Sequence, residues 1–182
     1  MECHLSWGII GCANIARKLI RAMKLSSNAH LVAIASRSIE KARAFAEAND
    51  VGANVTLYSS YEDLLQNDTI QAVYVPLPTK THIEWAVKVA NAGKHVLLEK
   101  PAALTSAELE VIINACNTNN VLFMDGVMFM HHDRLDMLRV ALSDPLVGPV
   151  SELYLQFHLC HLTNLLLTQV ATIINAYSLP TI

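Results

Sequence analysis

The sequence predicts an α/β fold: a doubly wound parallel sheet covered by helices on both faces. Three observations predict it. Short runs rich in Val, Ile and Leu alternate with segments of helical period, the runs are apolar on both faces, and glycine or proline stands where several of them end. With 182 residues, 53% of them apolar and 16% charged, the chain is long enough to bury a sizeable core.

The elements follow in order. Leu5 to Ile10 reads as a first strand that ends at Gly11, and Ile15, Ala16, Leu19, Ile20 and Met23 recur at helical spacing behind it. "LVAIAS" from Leu31 is the second strand, before an Ala-rich helix Glu40 to Ala48. Val55 to Tyr58 is the third, before a short helix Glu62 to Leu65 for which Ser59 and Glu62 supply a capping box. "AVYV" ends at Pro76, and a helix from about His82 to Ala92 closes at Gly93, the residue type expected just past a helix end. "HVLLEKPAAL", from His95, carries the fifth strand. Thr105 and Glu108 cap a helix through Cys116, and "VLFM" ends at Asp125 as the sixth strand. Six strands and five intervening helices fill a dinucleotide-type sheet, whose two βαβαβ halves meet at a switch point. Beyond it the pattern gives a helix Arg134 to Leu142 and a seventh strand Ser151 to Phe157.

Composition narrows the partners. A formal charge of −3 offers no broad basic field for nucleic acid or an anionic membrane, which leaves a small molecule. Cys3, Cys12, Cys116 and Cys160 lie far apart with no Cys-x-x-Cys pair, so reduced thiols in a cytoplasmic protein are the simplest reading. "MECHLSWGIIG" has no basic segment before a long apolar one, and neither a secretory signal nor a transit peptide is expected. No internal repeat or low-complexity tract appears.

Four stretches carry candidate chemistry. "GCANIA" stands where the first strand turns into a helix and follows G-x-G-x-x-G/A with Ala13 in place of the second glycine. Gly11, Ala13, Asn14 and Ile15 would bring backbone N–H groups to a pyrophosphate, although any tight strand-to-helix turn would also favour Gly11. The second strand ends in Ser36, Arg37 and Ser38, where an NAD site usually places an acid; an arginine flanked by hydroxyls suits the 2′-phosphate of NADP. A solvated arginine beside a helix N-cap is the alternative.

In "VPLPTKTH", Pro76 and Pro78 would form a rigid wall with Leu77 and Thr79 facing a ring or ribose; an ordinary loop is the alternative, and His82 is most simply a first-turn helix residue, though it counts among the candidate cofactor contacts. "EKP" follows a strand whose carboxyl end opens on the same crevice. Lys100 could donate to a substrate oxygen, with Glu99 steadying its charge and Pro101 ending the strand; a surface ion pair at a strand end is the alternative.

Taken in this order, Gly8, Gly11, Ala13, Ile15 and Ala16, then "ASRS", "PLPT" and "EKP", resemble the Gfo/Idh/MocA oxidoreductase family of glucose–fructose oxidoreductase and inositol dehydrogenase. "GVMFMHHDR", Gly126 to Arg134, is similar to the segment after the sixth strand in its branch of dimeric dihydrodiol and D-xylose dehydrogenases, with Asp133 where proline is usual. The resemblance covers about residues 5 to 157. It implies reversible hydride transfer between NADP and a hydroxyl-bearing carbon of a sugar or cyclic diol, with Lys100 catalytic and His131 a candidate substrate contact.

It also implies a Rossmann domain over residues 1–130, followed by a connecting helix, the start of a second domain and a divergent tail over 131–182. Family members form homodimers through the second domain, of which only the first strand is recognisable, so the chain is expected to be truncated. A catalytically inactive NADP-binding fragment is therefore the alternative function. His158, Cys160 and His161, like His131 and His132, have no common metal-ligand spacing, and no metal is expected. The tail from Leu153 lacks Asp, Glu, Lys and Arg, but Asn164, Gln169 and Asn175 interrupt it, and an amphipathic helix over the seventh strand is expected rather than a membrane span.

Overall fold

The computed structural model describes residues 4–146. The chain divides into two compact units, Met1–Val127 and Met128–Ile182. In the first, six parallel strands form one sheet: β1 (Leu5–Ile10), β2 (Ala29–Ala35), β3 (Thr56–Tyr58), β4 (Ala72–Val75), β5 (His95–Leu98) and β6 (Phe123–Asp125). Their order across the sheet is β3-β2-β1-β4-β5-β6. The helices between them are α1 (Ala16–Leu25), α2 (Ile39–Glu47), α3 (Tyr61–Leu65), α4 (His82–Asn91) and α5 (Ser106–Thr118). This is the Rossmann arrangement the sequence predicts. The second unit begins with a 3-10 turn, Met128–His131, and α6 (Arg134–Leu142). The seventh strand, the uncharged tail, and His158, Cys160 and His161 lie outside the described residues.

Alternation along each strand decides which helix covers it. Ile10, Ala33, Ala35, Val73, Val75, Val96 and Leu98 face one way and pack with Leu64 of α3, Trp85, Ala86 and Val89 of α4, and Ile112 and Cys116 of α5. Ile9, Ile34 and Tyr74 face the other way, against Ala16 and Ile20 of α1 and Phe45 and Ala46 of α2. All four residues of β4 are buried, as befits the centre of the sheet.

Side chains and glycine mark the helix ends. Ser38 Oγ accepts from the Lys41 amide at 3.2 Å, and Thr105 Oγ1 accepts from that of Glu108 at 3.2 Å. Glu108 returns the favour by accepting from the Leu104 amide at 2.9 Å. Gly93, at φ +70°, closes α4. Two local readings shift. The cap of α3 is Ser60, not Ser59: its Oγ accepts from Asp63 N at 3.2 Å, because helical φ/ψ begins at Tyr61. β2 starts at Ala29 rather than Leu31, since Leu5 and Ser6 pair with Ala29 and His30 before the apolar run begins.

Candidate functional site

The switch point of the sheet falls between β1 and β4. β1 leads to α1 on one face and β4 to α4 on the other, so a crevice opens at their carboxyl ends. Gly11 floors it. Its φ is +105°, its N–H donates to Ala35 O at 2.8 Å, and a Cβ there would stand 2.7 Å from Leu77 Cδ2. A side chain at this position would be strained and would push on the opposite wall. Ala13, Asn14 and Ile15 complete the turn. α1 then starts with no side-chain cap and no acid in its first turn, whereas each of the other five described α-helices has an acid there. The N–H groups of Ala16, Arg17 and Lys18 donate to the carbonyls of Ala13, Asn14 and Ile15 at 3.0, 3.3 and 3.0 Å, so the donors that could meet an anion are the turn amides of Ala13, Asn14 and Ile15, with the helix dipole uncompensated behind them.

The end of β2 supplies charge. Ser36 is 3% exposed, Arg37 is exposed and Ser38 caps α2. Together with Gly11, Cys12, Ala13 and the Pro76–Pro78 loop they line a cavity of about 540 Å³, which Lys41 and Tyr61 also border. Burial pushes the Cys12 thiol up, against the Ser36 hydroxyl and the Lys41 charge, which both lower it. Burial likewise raises the Tyr61 phenol, while Arg37 opposes it by charge and by a hydrogen bond.

A neighbouring cavity of about 380 Å³ shares Arg37, Tyr61, Leu77 and Pro78 and continues to Thr81 and Trp85. Tyr61 and Trp85 meet edge to face at 4.8 Å, and Lys88 sits 4.1 Å above the Trp85 ring. Thr79 opens the short 3-10 turn Thr79–Thr81 and lines neither cavity. Lys41 escaped the sequence reading, although Ser-Arg-Ser-x-x-Lys places it one turn into α2, on the side of the cap.

The carboxyl ends of β4, β5 and β6 lie on the same edge of the sheet, but Glu99, Lys100 and Pro101 line neither cavity. Glu99 does not pair with the Lys100 ammonium. Its Oε1 accepts from Tyr74 OH at 2.6 Å and its Oε2 from the Lys100 backbone N–H at 3.1 Å. The tyrosine is 3% exposed, and its phenol is pushed well above the usual range, first by burial and then by the Glu99 carboxylate. A Cβ on Gly126 would lie 3.2 Å from Leu98 O and 3.3 Å from Glu99 Oε1, so β6 ends against this carboxylate with no room to spare. Lys100 is exposed and makes no ion pair among the described residues. Lys100 joins Pro101 through a cis peptide bond.

His82 sits behind the wall rather than on it. The ring is 1% exposed; Nε2 lies 2.7 Å from Leu77 O, and Nδ1 lies 3.0 and 3.2 Å from Pro101 O and Ala102 O. It ties the Pro76–Pro78 loop to the "EKP" loop. Among the described residues no group of three or more His, Cys, Asp or Glu side chains could hold a metal, and His131 and His132 are exposed in the second unit. No helix among the described residues is long and apolar enough to cross a membrane.

A six-stranded sheet ordered about a switch point, a glycine turn leading into an α1 without an acid in its first turn, and a basic rim at the end of β2 mark an α/β protein of the dinucleotide-binding kind. The particular family follows from comparison. Residues 5–127 match the family model GFO_IDH_MocA, described as an oxidoreductase family with an NAD-binding Rossmann fold, and the chain belongs to that family.

It is 38% identical over 128 residues to the D-xylose 1-dehydrogenase (NADP(+)) 2 of Haloferax volcanii, covering 70% of this chain and 38% of the relative. It is 29% identical over 153 residues to the trans-1,2-dihydrobenzene-1,2-diol dehydrogenase of Xenopus laevis, covering 83% of this chain and 46% of the relative. Among solved structures, the 3-ketoreductase KijD10 of Actinomadura kijaniata, in complex with NADP and TDP-benzene, superposes with a TM-score of 0.75 at 32% identity. That match covers 81% of this chain and 45% of that one. The chain thus spans less than half the length of the relatives it matches.

Proposed function

We propose that residues 1–130 bind NADP, and that the protein to which they belong transfers hydride between its nicotinamide and a hydroxyl-bearing carbon of a sugar or cyclic diol. The observation that carries this reading is the cavity where Gly11, Ser36, Arg37, Ser38, Lys41 and Leu77 meet, because motifs distant in sequence converge there on one space bordered by two cations.

The cofactor, when bound, supplies the hydride. The turn Gly11–Ile15 and the α1 N-terminus would hold its pyrophosphate, and Arg37 with Lys41 its 2′-phosphate. Pro76, Leu77 and Pro78 would wall the ribose and ring. Lys100, the catalytic residue in this reading, would donate a hydrogen bond to the substrate oxygen and offset the charge that develops there. Glu99 and His82 would act through the loops they hold. The partner is a small molecule, the setting a reducing cytoplasm, and residues 131–182 begin a second domain through which relatives of this type would pair.

A second reading, that these residues bind cofactor without turning over substrate by themselves, is favoured by the match's covering only 38% and 46% of these two relatives. Fluorescence titration of the purified chain with NADPH and NADH tests the first step, and a turnover assay on D-xylose and a trans-dihydrodiol tests the second. Micromolar binding that prefers NADPH supports the site. Binding of neither dinucleotide refutes it, and brisk turnover by the 182-residue chain refutes the second reading.

A further inference from the structure

The donors at the start of α2 already serve an anion, and that anion is part of the chain. Ser38 Oγ donates its single proton to Glu40 Oε2 at 2.7 Å while accepting the Lys41 amide at 3.2 Å. A hydroxyl has one hydrogen to give, so Ser38 cannot donate to a phosphate without releasing Glu40. Ser38 and Lys41 both line the cavity assigned above to the cofactor, and Glu40, in the first turn of the same helix, does not line it. Ser38, then its own backbone N–H, hold the Glu40 carboxyl below the usual carboxylate range, with the Arg43 charge a smaller contribution in the same direction.

We infer that Glu40 is a positioning residue that restrains NADP selectivity: its carboxylate stands in for the 2′-phosphate on Ser38 and repels that phosphate when it arrives. The inference rests on the cofactor reading given above. Arg37 and Lys41 attract a 2′-phosphate and Glu40 sets the limit on that attraction, since like charges within a few ångströms oppose each other even at an exposed site. A ribose 2′-hydroxyl meets no such penalty. The site is consequently tuned toward tolerating both dinucleotides rather than built for the phosphate alone.

The sign of one substitution tests this. Glu40→Gln keeps an acceptor for Ser38 and removes the charge. Titration of the full chain should give an NADPH dissociation constant about threefold lower than wild type, with that for NADH unchanged and the gain shrinking as salt rises. Ser38→Ala should weaken NADPH and reduce the gain from Glu40→Gln in the double variant. If Glu40 served only to stabilise the start of α2, Glu40→Gln would lower the melting temperature and weaken both dinucleotides together, and that result overturns the inference. An unchanged NADPH to NADH ratio overturns it as well, leaving the cofactor reading intact. A wild-type chain that binds neither dinucleotide overturns both.

Discussion

Two parts of the sheet's carboxyl edge handle charge in opposite ways. At the end of β2, Arg37 and Lys41 are exposed and make no ion pair among the described residues. At the ends of β4 and β5 the polar groups are enclosed and matched: Tyr74 with Glu99, Glu99 with the Lys100 amide, and His82 with carbonyls of two loops. An uncompensated exposed charge contributes little to folding and much to binding an anion, whereas a buried polar group must be satisfied or it destabilises the fold. Under the proposed function, the first region is the surface for a ligand and the second the frame that holds the loops on either side of Lys100. Substitutions in the frame should therefore move stability and both dinucleotides together, and substitutions in the ligand surface should move NADPH alone.

His82→Ala is expected to have the largest effect. It leaves a cavity behind the crevice wall and removes the ring that bridges Leu77 O to Pro101 O, a loss of about 3 kcal/mol. Urea unfolding measures it, and NADPH and NADH should weaken in parallel. Arg37→Ala is the complementary case. It should weaken NADPH by about tenfold to a hundredfold at low salt while leaving the urea midpoint and NADH affinity nearly unchanged. Equal weakening of the two dinucleotides by Arg37→Ala would break the division between surface and frame.

Tyr74→Phe comes next, at about 1.5 kcal/mol, because it strips the Glu99 carboxylate of its hydroxyl donor. It also has a pH signature. The Tyr74 phenol is raised in the folded state above its ordinary value near 10. The unfolded chain therefore releases that proton first as pH climbs. Its contribution is present in full below about pH 10 and is lost as pH rises above that. Tyr61, raised by burial, contributes in the same direction and remains in the variant. Comparing urea midpoints at about pH 8 and about pH 11, wild type should lose more stability than Tyr74→Phe. Identical losses would mean that the phenol does not reach Glu99 in solution.

Much of this was legible in the sequence, and what was not has a physical cause. β4 could be read because a strand buried on both faces must be apolar throughout, and Pro76 ends it. The glycine turn and the Ser36–Ser38 stretch could be placed at one cavity, and "EKP" on the same edge of the sheet, because parallel strands deliver all their carboxyl ends to one side. The first two residues of β2 were hidden: His30 pairs with Ser6 through the backbone, and a ladder hydrogen bond asks nothing of the side chain. Glu99 was misread toward Lys100 because its hydroxyl partner is 25 residues away, on the next strand, and no spacing rule reports a cross-strand neighbour. His82 was counted among the candidate cofactor contacts for the same reason, since only the folded chain brings Leu77 and Pro101 to its two ring nitrogens. Lys41 was readable by helical period alone and marks a gap in the reading, not in the sequence.

The smallest effect separates two adjacent serines. Ser59 and Ser60 both border the smaller cavity, on the ligand side of the molecule, but Ser60 alone caps α3, with its Oγ accepting from Asp63 N and donating to Glu62 Oε2 at 3.3 Å. The capping box read from Ser59 and Glu62 would make Ser59 the costly one to lose. In the fold, Ser60→Ala should cost about 1 kcal/mol in urea unfolding and Ser59→Ala close to nothing. α3 contributes Tyr61, Leu64 and Leu65 to the core, and Tyr61 also borders the larger cavity, so loosening its cap should weaken NADPH and NADH slightly and alike. A frame residue would then lie within the ligand surface itself. The division between the two regions follows whether a polar group is already spent within the chain, not how far it stands from the crevice.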